Sequence, residues 1–200
     1  MQTLTTLSDV PLVQQTTNYS CGAATLKAVL SHYGEDVAEP KLMREVGVHP
    51  KTGSTAGQVA TAARRRGYVA HERQFRSVDE LAVFTDQDVP VIVAIQSFNN
   101  PNQGHFVVAT KVKRGRVQIM DPNTRGNQRV LSTAEMDRRW QFRERVGVVI
   151  VPDPKRRGQF GGTSNRMSNE QTFAIVVAGL FAAASVVGAG VMIYRRRRAN

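Results

Sequence analysis

The sequence predicts an α+β domain followed by one C-terminal membrane-spanning helix. Three observations carry this. Helix-periodic segments fill the first half of the chain and β-rich runs the second, with no internal repeat or heptad. The stretch from Val10 to Pro152 is long enough to bury a core of its own. Phe173 to Tyr194 then runs 22 residues without a single charge.

Residues 1–9 have neither a basic n-region nor an apolar h-region, so they read as a short extension and not as a secretory signal. Cys21 opens an amphipathic helix through Ala24, Leu26, Ala28, Val29 and Leu30, capped by Asn18 or Ser20 and stopped at Gly34. Ser54 can cap a second helix through Val59, Ala60, Ala62 and Ala63 to Arg66, ended by Gly67. Ser77 with Glu80, and Ser132 with Glu135, are capping-box pairs that open short helices. Val91 to Ile95 is a buried-strand run. His105 to Lys113 and Arg116 to Met120 flank Arg114-Gly115, which predicts a tight hairpin, and Val146 to Val151 closes the domain.

Residues 153–172 are polar and rich in Gly, Ser, Asn and Arg, a composition that cannot bury a core and reads as a tether. Gly161-Gly162 lies inside it, where flexibility is explanation enough. A helix over residues 173–194 reaches across a hydrocarbon layer of roughly 30 Å. Residues 195–200 form a basic tail that begins with four arginines. Arg195 to Arg198 on one flank are balanced by Lys155, Arg156, Arg157 and Arg166 on the other. With no secretory signal upstream, the domain is expected on the cytoplasmic side of a single-pass anchor.

The formal charge of +11 suggests nucleic acid until its distribution is examined. Residues 1–154 carry 19 Lys and Arg against 15 Asp and Glu, whereas residues 155–200 carry 8 against 1. Most of the excess belongs to the tail, where basic clusters beside an apolar run more often meet lipid headgroups than phosphodiester backbones. Nucleic-acid binding is excluded on this pattern. The one cysteine, Cys21, cannot form an intramolecular disulfide, so no oxidising compartment is required.

That cysteine carries the chemistry. A thiol attacks carbonyls as the thiolate, which a helix N-terminus and a nearby imidazolium both favour. Cys21 stands at such an N-terminus, and Gly22 after it would leave room for substrate. His105 starts a strand after the loop Asn99 to Gly104, and Asp121 ends the strand paired with it. The two therefore meet at the open end of the hairpin, where the carboxylate can fix the imidazole tautomer. Gln15 precedes the helix, where its amide can act as an oxyanion donor. Singly, each has an ordinary explanation: a buried cysteine, a satisfied histidine (as for His32, His49 and His71), an Asp-Pro turn. Their joint order is harder to obtain by chance.

The run from Val10-Pro11-Leu12 through Gln15, Cys21-Gly22 and His32-Tyr33-Gly34, with Gly104-His105 and Asp121-Pro122, resembles the bacteriocin-processing peptidases. These are papain-like cysteine proteases that cut leader peptides after a double glycine. The resemblance covers residues 10–152. It implies a papain-like fold, with Cys21 as nucleophile, His105 as base, Asp121 as its orienter and Gln15 as oxyanion donor. Ser20 departs from the pattern, since members commonly have an acidic residue there. Many members are fused to an export ATPase, which the resemblance implies as a partner, yet no Walker-type phosphate loop occurs in these residues.

The expectation is thus a membrane-anchored cysteine peptidase acting on a peptide or protein substrate, possessing a Cys-His-Asp triad and needing no metal or organic cofactor. Two other functions suit the same residues: a non-cleaving peptide-binding module, and a related acyl transfer such as deamidation or transpeptidation.

Overall fold

Spacing of apolar residues and the chemistry of a few turns set where each element starts and stops. The computed structural model describes residues 10–123, 128–153 and 155. Helices α1 (Cys21–His32), α2 (Glu39–Val46) and α3 (Ala56–Arg65) come first, then strand β1 (Tyr68–Gln74). A 3-10 turn over Val78–Leu81 runs into the short α4 (Ala82–Thr85). Strands β2 (Val91–Gln96), β3 (Gly104–Lys113), β4 (Arg116–Met120) and β5 (Gln128–Ser132) follow, then α5 (Thr133–Gln141) and β6 (Val146–Pro152). The predicted α+β pattern holds.

The six strands form one antiparallel sheet in the order β1-β6-β2-β3-β4-β5. Arg114 and Gly115 both take left-handed backbone angles, φ 51° and 71°, as a tight hairpin turn requires. Helices cover both faces of the sheet: α1 and α3 pack on one, α4 and α5 on the other. This is why β2 is buried along nearly its whole length and does not alternate. Leu26, Leu30, Leu42, Ile92 and Ile150 are among the fully buried side chains of the first layer and its sheet, while Phe84, Met136 and Trp140 fill the second. Each such side chain contributes about 1.5–3 kcal/mol of burial. Arg66 ties the first layer together, reaching Glu45 at 2.9 Å and also pairing with Glu35 just after α1. The helix that begins with Cys21 is thereby fixed in direction.

Several local expectations need correction. Thr55, not Ser54, caps α3, in a full capping box with Gln58. Ser20 occupies the N-cap position of α1 without capping it, because its hydroxyl is spent on the backbone of Thr17. Ser77 makes no cap either, since Glu80 turns to Arg73 and Arg76. Ser132 does accept from the Glu135 N–H at 3.1 Å. Among the described residues no helix is long and apolar enough to cross a membrane. The expected extension 1–9, the span 173–194, the tail 195–200 and all of the tether except Asp153 and Lys155 lie outside the described residues.

Candidate active site

Cys21 is the first residue of α1, half-buried, with no side-chain acceptor over the amides of the helix's first turn. Cys21 is thus carried at the positive end of the helix, whose first amides have no intrahelical partners. Thr25, one turn on and buried, donates its hydroxyl back to the Cys21 carbonyl at 2.9 Å. The expectation that Gly22 leaves room for substrate is corrected here. A methyl at Gly22 would meet Ser54 Oγ at 2.2 Å, Val59 at 3.3 Å and Phe106 at 3.4 Å. The bare Cα is needed by the helix's own neighbours.

The β3–β4 hairpin places the other two groups. His105 follows the first residue of β3, and Asp121 follows the last residue of β4. His105 Nε2 lies 2.7 Å from Asp121 Oδ1, and both side chains are buried. The backbone N–H of Asn123 donates to the same oxygen at 2.9 Å, while Arg129 Nε approaches Oδ2 at 3.1 Å. With Nε2 engaged by the carboxylate, Nδ1 is the nitrogen left to face the thiol. Burial disfavours the imidazolium, but hydrogen bonds to Asp121 and Cys21 and their charges outweigh it, and His105 is pushed up to about 9. Burial likewise opposes the Asp121 carboxylate. His105, the Asn123 amide and Arg129 prevail and hold it below the usual carboxylate range.

Gln15 is brought to the same end of the fold. Its backbone N–H donates to the Pro122 carbonyl at 2.9 Å, tying the segment before α1 to the Asp-Pro turn. Its side-chain Nε2 donates to the Thr17 carbonyl at 2.6 Å, and Oε1 is buried with no hydrogen-bond partner among the described residues. One amide proton is thus committed to Thr17, and Gln15 is not among the residues that line the cleft around Cys21 and His105.

Cys21 and His105 open into a cleft of about 580 Å³, walled by Tyr19, Ser54, Glu72 and Arg143. Sequence reasoning missed these walls, and it missed Arg129. The guanidinium of Arg129 stacks over Phe98 at 4.4 Å, and that of Arg139 stacks over the same ring at 4.2 Å. The loop before His105 is therefore pinned to the strand that carries Arg129. Among the described residues no group of three or more His, Cys, Asp or Glu side chains is placed to hold a metal ion.

A thiol, an imidazole and a buried carboxylate in series at a cleft suit acyl chemistry on a peptide. Residues 9–156 match the profile of the Peptidase C39 family. The chain belongs to this family of cysteine peptidases. The C39 match covers the region expected from the Gln15, Cys21, His105 and Asp121 pattern. The chain is 25% identical over 162 residues to the lactococcin-G-processing and transport ATP-binding protein LagD of Lactococcus lactis subsp. lactis, covering 81% of this chain and 21% of that protein. It is 30% identical over 129 residues to the probable microcin-H47 secretion/processing ATP-binding protein MchF of Escherichia coli, covering 64% of this chain and 17% of that protein. The chain thus spans about a fifth of the length of these relatives. Among solved structures, a double glycine motif protease from an AMS/PCAT transporter in complex with the leader peptide is 27% identical, with a TM-score of 0.58. That alignment covers 73% of this chain and 94% of the other.

Proposed function

We propose that this C39 domain is a thiol peptidase that cuts a leader peptide after a double glycine, with Cys21 as nucleophile. The observation that carries the reading is His105, buried between Asp121 and Cys21 at the mouth of the cleft. His105 takes the proton of Cys21, and the sulfur attacks the scissile carbonyl carbon. The carbonyl oxygen gains the negative charge, and the free amide proton of Gln15 and the Cys21 backbone N–H stabilise it. Collapse breaks the C–N bond, and His105 hands its proton to the leaving amine. Water, deprotonated by His105, then splits the thioester and restores the thiol. Asp121 fixes the tautomer throughout.

The substrate class is supported by the 27% identity to a double glycine motif protease seen with its leader peptide. Residues 173–194 would anchor the domain to the membrane as a single span, with the domain on the cytoplasmic side and residues 153–172 as tether. An export ATPase would be the natural recipient of the trimmed peptide, supported by the names of LagD and MchF.

The test uses the full chain and peptides carrying a Gly-Gly leader, with products read by mass spectrometry. Cleavage directly after the second glycine, lost in Cys21→Ala, is the expected result. No cleavage, or cleavage unchanged in Cys21→Ala, overturns the reading. A product changed at a side chain and intact in its backbone would indicate acyl transfer of another kind. Membrane sedimentation of the full chain, abolished by deleting residues 173–194, tests the anchor.

A further inference from the structure

Between α5 and β6 the chain makes a strained turn. Glu144 and Arg145 both take left-handed backbone angles, φ 53° each, which residues with a Cβ adopt only when their surroundings compel it. The compulsion is visible. The Arg143 and Arg145 amides both bond the Trp140 carbonyl, at 3.0 and 3.1 Å, and the Arg145 side chain grips Asp137 at 2.7 and 3.1 Å. Such strain at a cleft edge invites a functional question.

What the turn delivers is the guanidinium of Arg143. It lies flat against Gly104, so closely that a methyl there would meet its Nη2, Nε and Cζ at 2.6, 2.7 and 3.0 Å. Gly104 is the residue before His105, and Arg143 lines the cleft that holds Cys21. The exposed ring of Phe142 supports the cation at 5.1 Å. Among the described residues no carboxylate pairs with Arg143. Glu72, on the same cleft, sits instead over Gly57, 2.9 Å from where a methyl would stand.

The reaction gives this position a direction. In the proposed mechanism His105 returns its proton to the leaving amine, so the residues that follow the scissile bond leave beside His105, on the cleft that Gly104 and Arg143 also line. We infer that Arg143 is a specificity residue that receives a carboxylate on the first or second residue after the cleaved bond. A guanidinium fork matches a carboxylate with two parallel hydrogen bonds, and no bond is made or broken in the recognition. The inference rests on the peptidase reading above. The carboxylate can be an Asp or Glu side chain, or the terminal carboxylate of a short substrate.

The experiment compares Gly-Gly peptides that differ only in carrying Asp, Asn or Lys at the first or second position after the cleaved bond. The full chain should cleave the Asp peptide roughly fivefold faster in kcat/KM than the Asn peptide, as an exposed ion pair allows, with Lys slower still. The Asp advantage should shrink towards onefold in Arg143→Gln, turn into a Lys advantage in Arg143→Glu and partly persist in Arg143→Lys. Short peptides ending at the second position, as free acids or amides, separate the sources: a loss on amidation assigns the terminal carboxylate, and indifference with an Asp preference assigns the side chain. Equal rates for all three peptides in the unmodified protein, or an Asp preference that survives Arg143→Gln, overturn the inference while leaving the peptidase intact. Cleavage that is absent, or that persists in Cys21→Ala, overturns the peptidase reading and this inference with it.

Discussion

Arg129 meets Asp121 on the oxygen that His105 leaves open: Nε stands 3.1 Å from Oδ2, while the imidazole holds Oδ1 at 2.7 Å. One buried carboxylate is thus gripped from both sides. The His105 and Asn123 hydrogen bonds fix the carboxylate's rotation, and the Arg129 charge favours its ionised form.

The charge of Arg129 helps to hold Asp121 below its ordinary value of 3.8. A depressed folded pKa contributes stability that is present above 3.8 and lost as pH falls through the lower folded value. Arg129→Gln should therefore move the acid-unfolding midpoint to higher pH, as read by circular dichroism. Arg129→Lys should recover most of that shift but not the stacking on Phe98. If Gln and Lys behave alike, packing and not charge is what Arg129 provides.

Asp121→Asn keeps the shape of the side chain and removes its charge. In the proposed mechanism the imidazole loses its orienting partner, and kcat should fall by about a hundredfold or more with little change in KM. The alkaline limb of the pH profile should move below its position in the unmodified protein, because a bond that raises His105 is gone. Steady-state kinetics across pH decides both points, and a variant within about threefold of the parent would remove Asp121 from the mechanism.

In the proposed mechanism the proton taken from Cys21 rests on His105, which is pushed up to about 9. The folded value lies above the ordinary 6.5, so its stabilising contribution is complete below about 6.5 and disappears as pH rises through about 9. Both kcat/KM and thermal midpoint should decline together over that alkaline window. An alkaline limb with its midpoint below about pH 7.5 would contradict the raised imidazole, since a free histidine titrates near 6.5.

Gly22→Ala should cost about 1–3 kcal/mol in denaturant unfolding through overpacking, because the new methyl has Ser54 Oγ, Val59 and Phe106 against it. In a Ser54→Ala background the penalty should be smaller, since the nearest clash, at 2.2 Å, is removed. Equal penalties in both backgrounds would show that Ser54 is not the obstacle.

Local chemistry explains which parts were legible beforehand. Helix α1 and its stop at Gly34, the hairpin at Arg114-Gly115 and the buried runs of β2 and β6 rest on contiguous patterns, and the structure reproduces them. Helix α2 was overlooked although Pro40 in its first turn and the left-handed Gly47 at its end mark it. Strand β1 hid behind His71, Glu72 and Arg73, because only its first half is buried, and β5 is a short edge strand. Of the site, Cys21, His105 and Asp121 were readable because a helix start and a hairpin end are local features. Arg129 and Arg143 were not: the first depends on Ile119 pairing with Arg129 across β4 and β5, the second on a turn built from ordinary residues at unusual angles. Gln15 is singled out by its position before α1, but its commitment to the Thr17 carbonyl follows from a backbone path that composition does not encode.

The sheet order has a consequence for the timing of birth. The last strand, β6, lies between β1 and β2, pairing Tyr68 with Pro152 and Val91 with Val149. Synthesis therefore has to pass Pro152 before the middle of the sheet can close, and until then two strand edges wait open. The turn that bears Arg143 is delivered by that same closing strand. A nascent chain thus holds its cysteine, histidine and aspartate well before it holds the turn that completes the cleft wall.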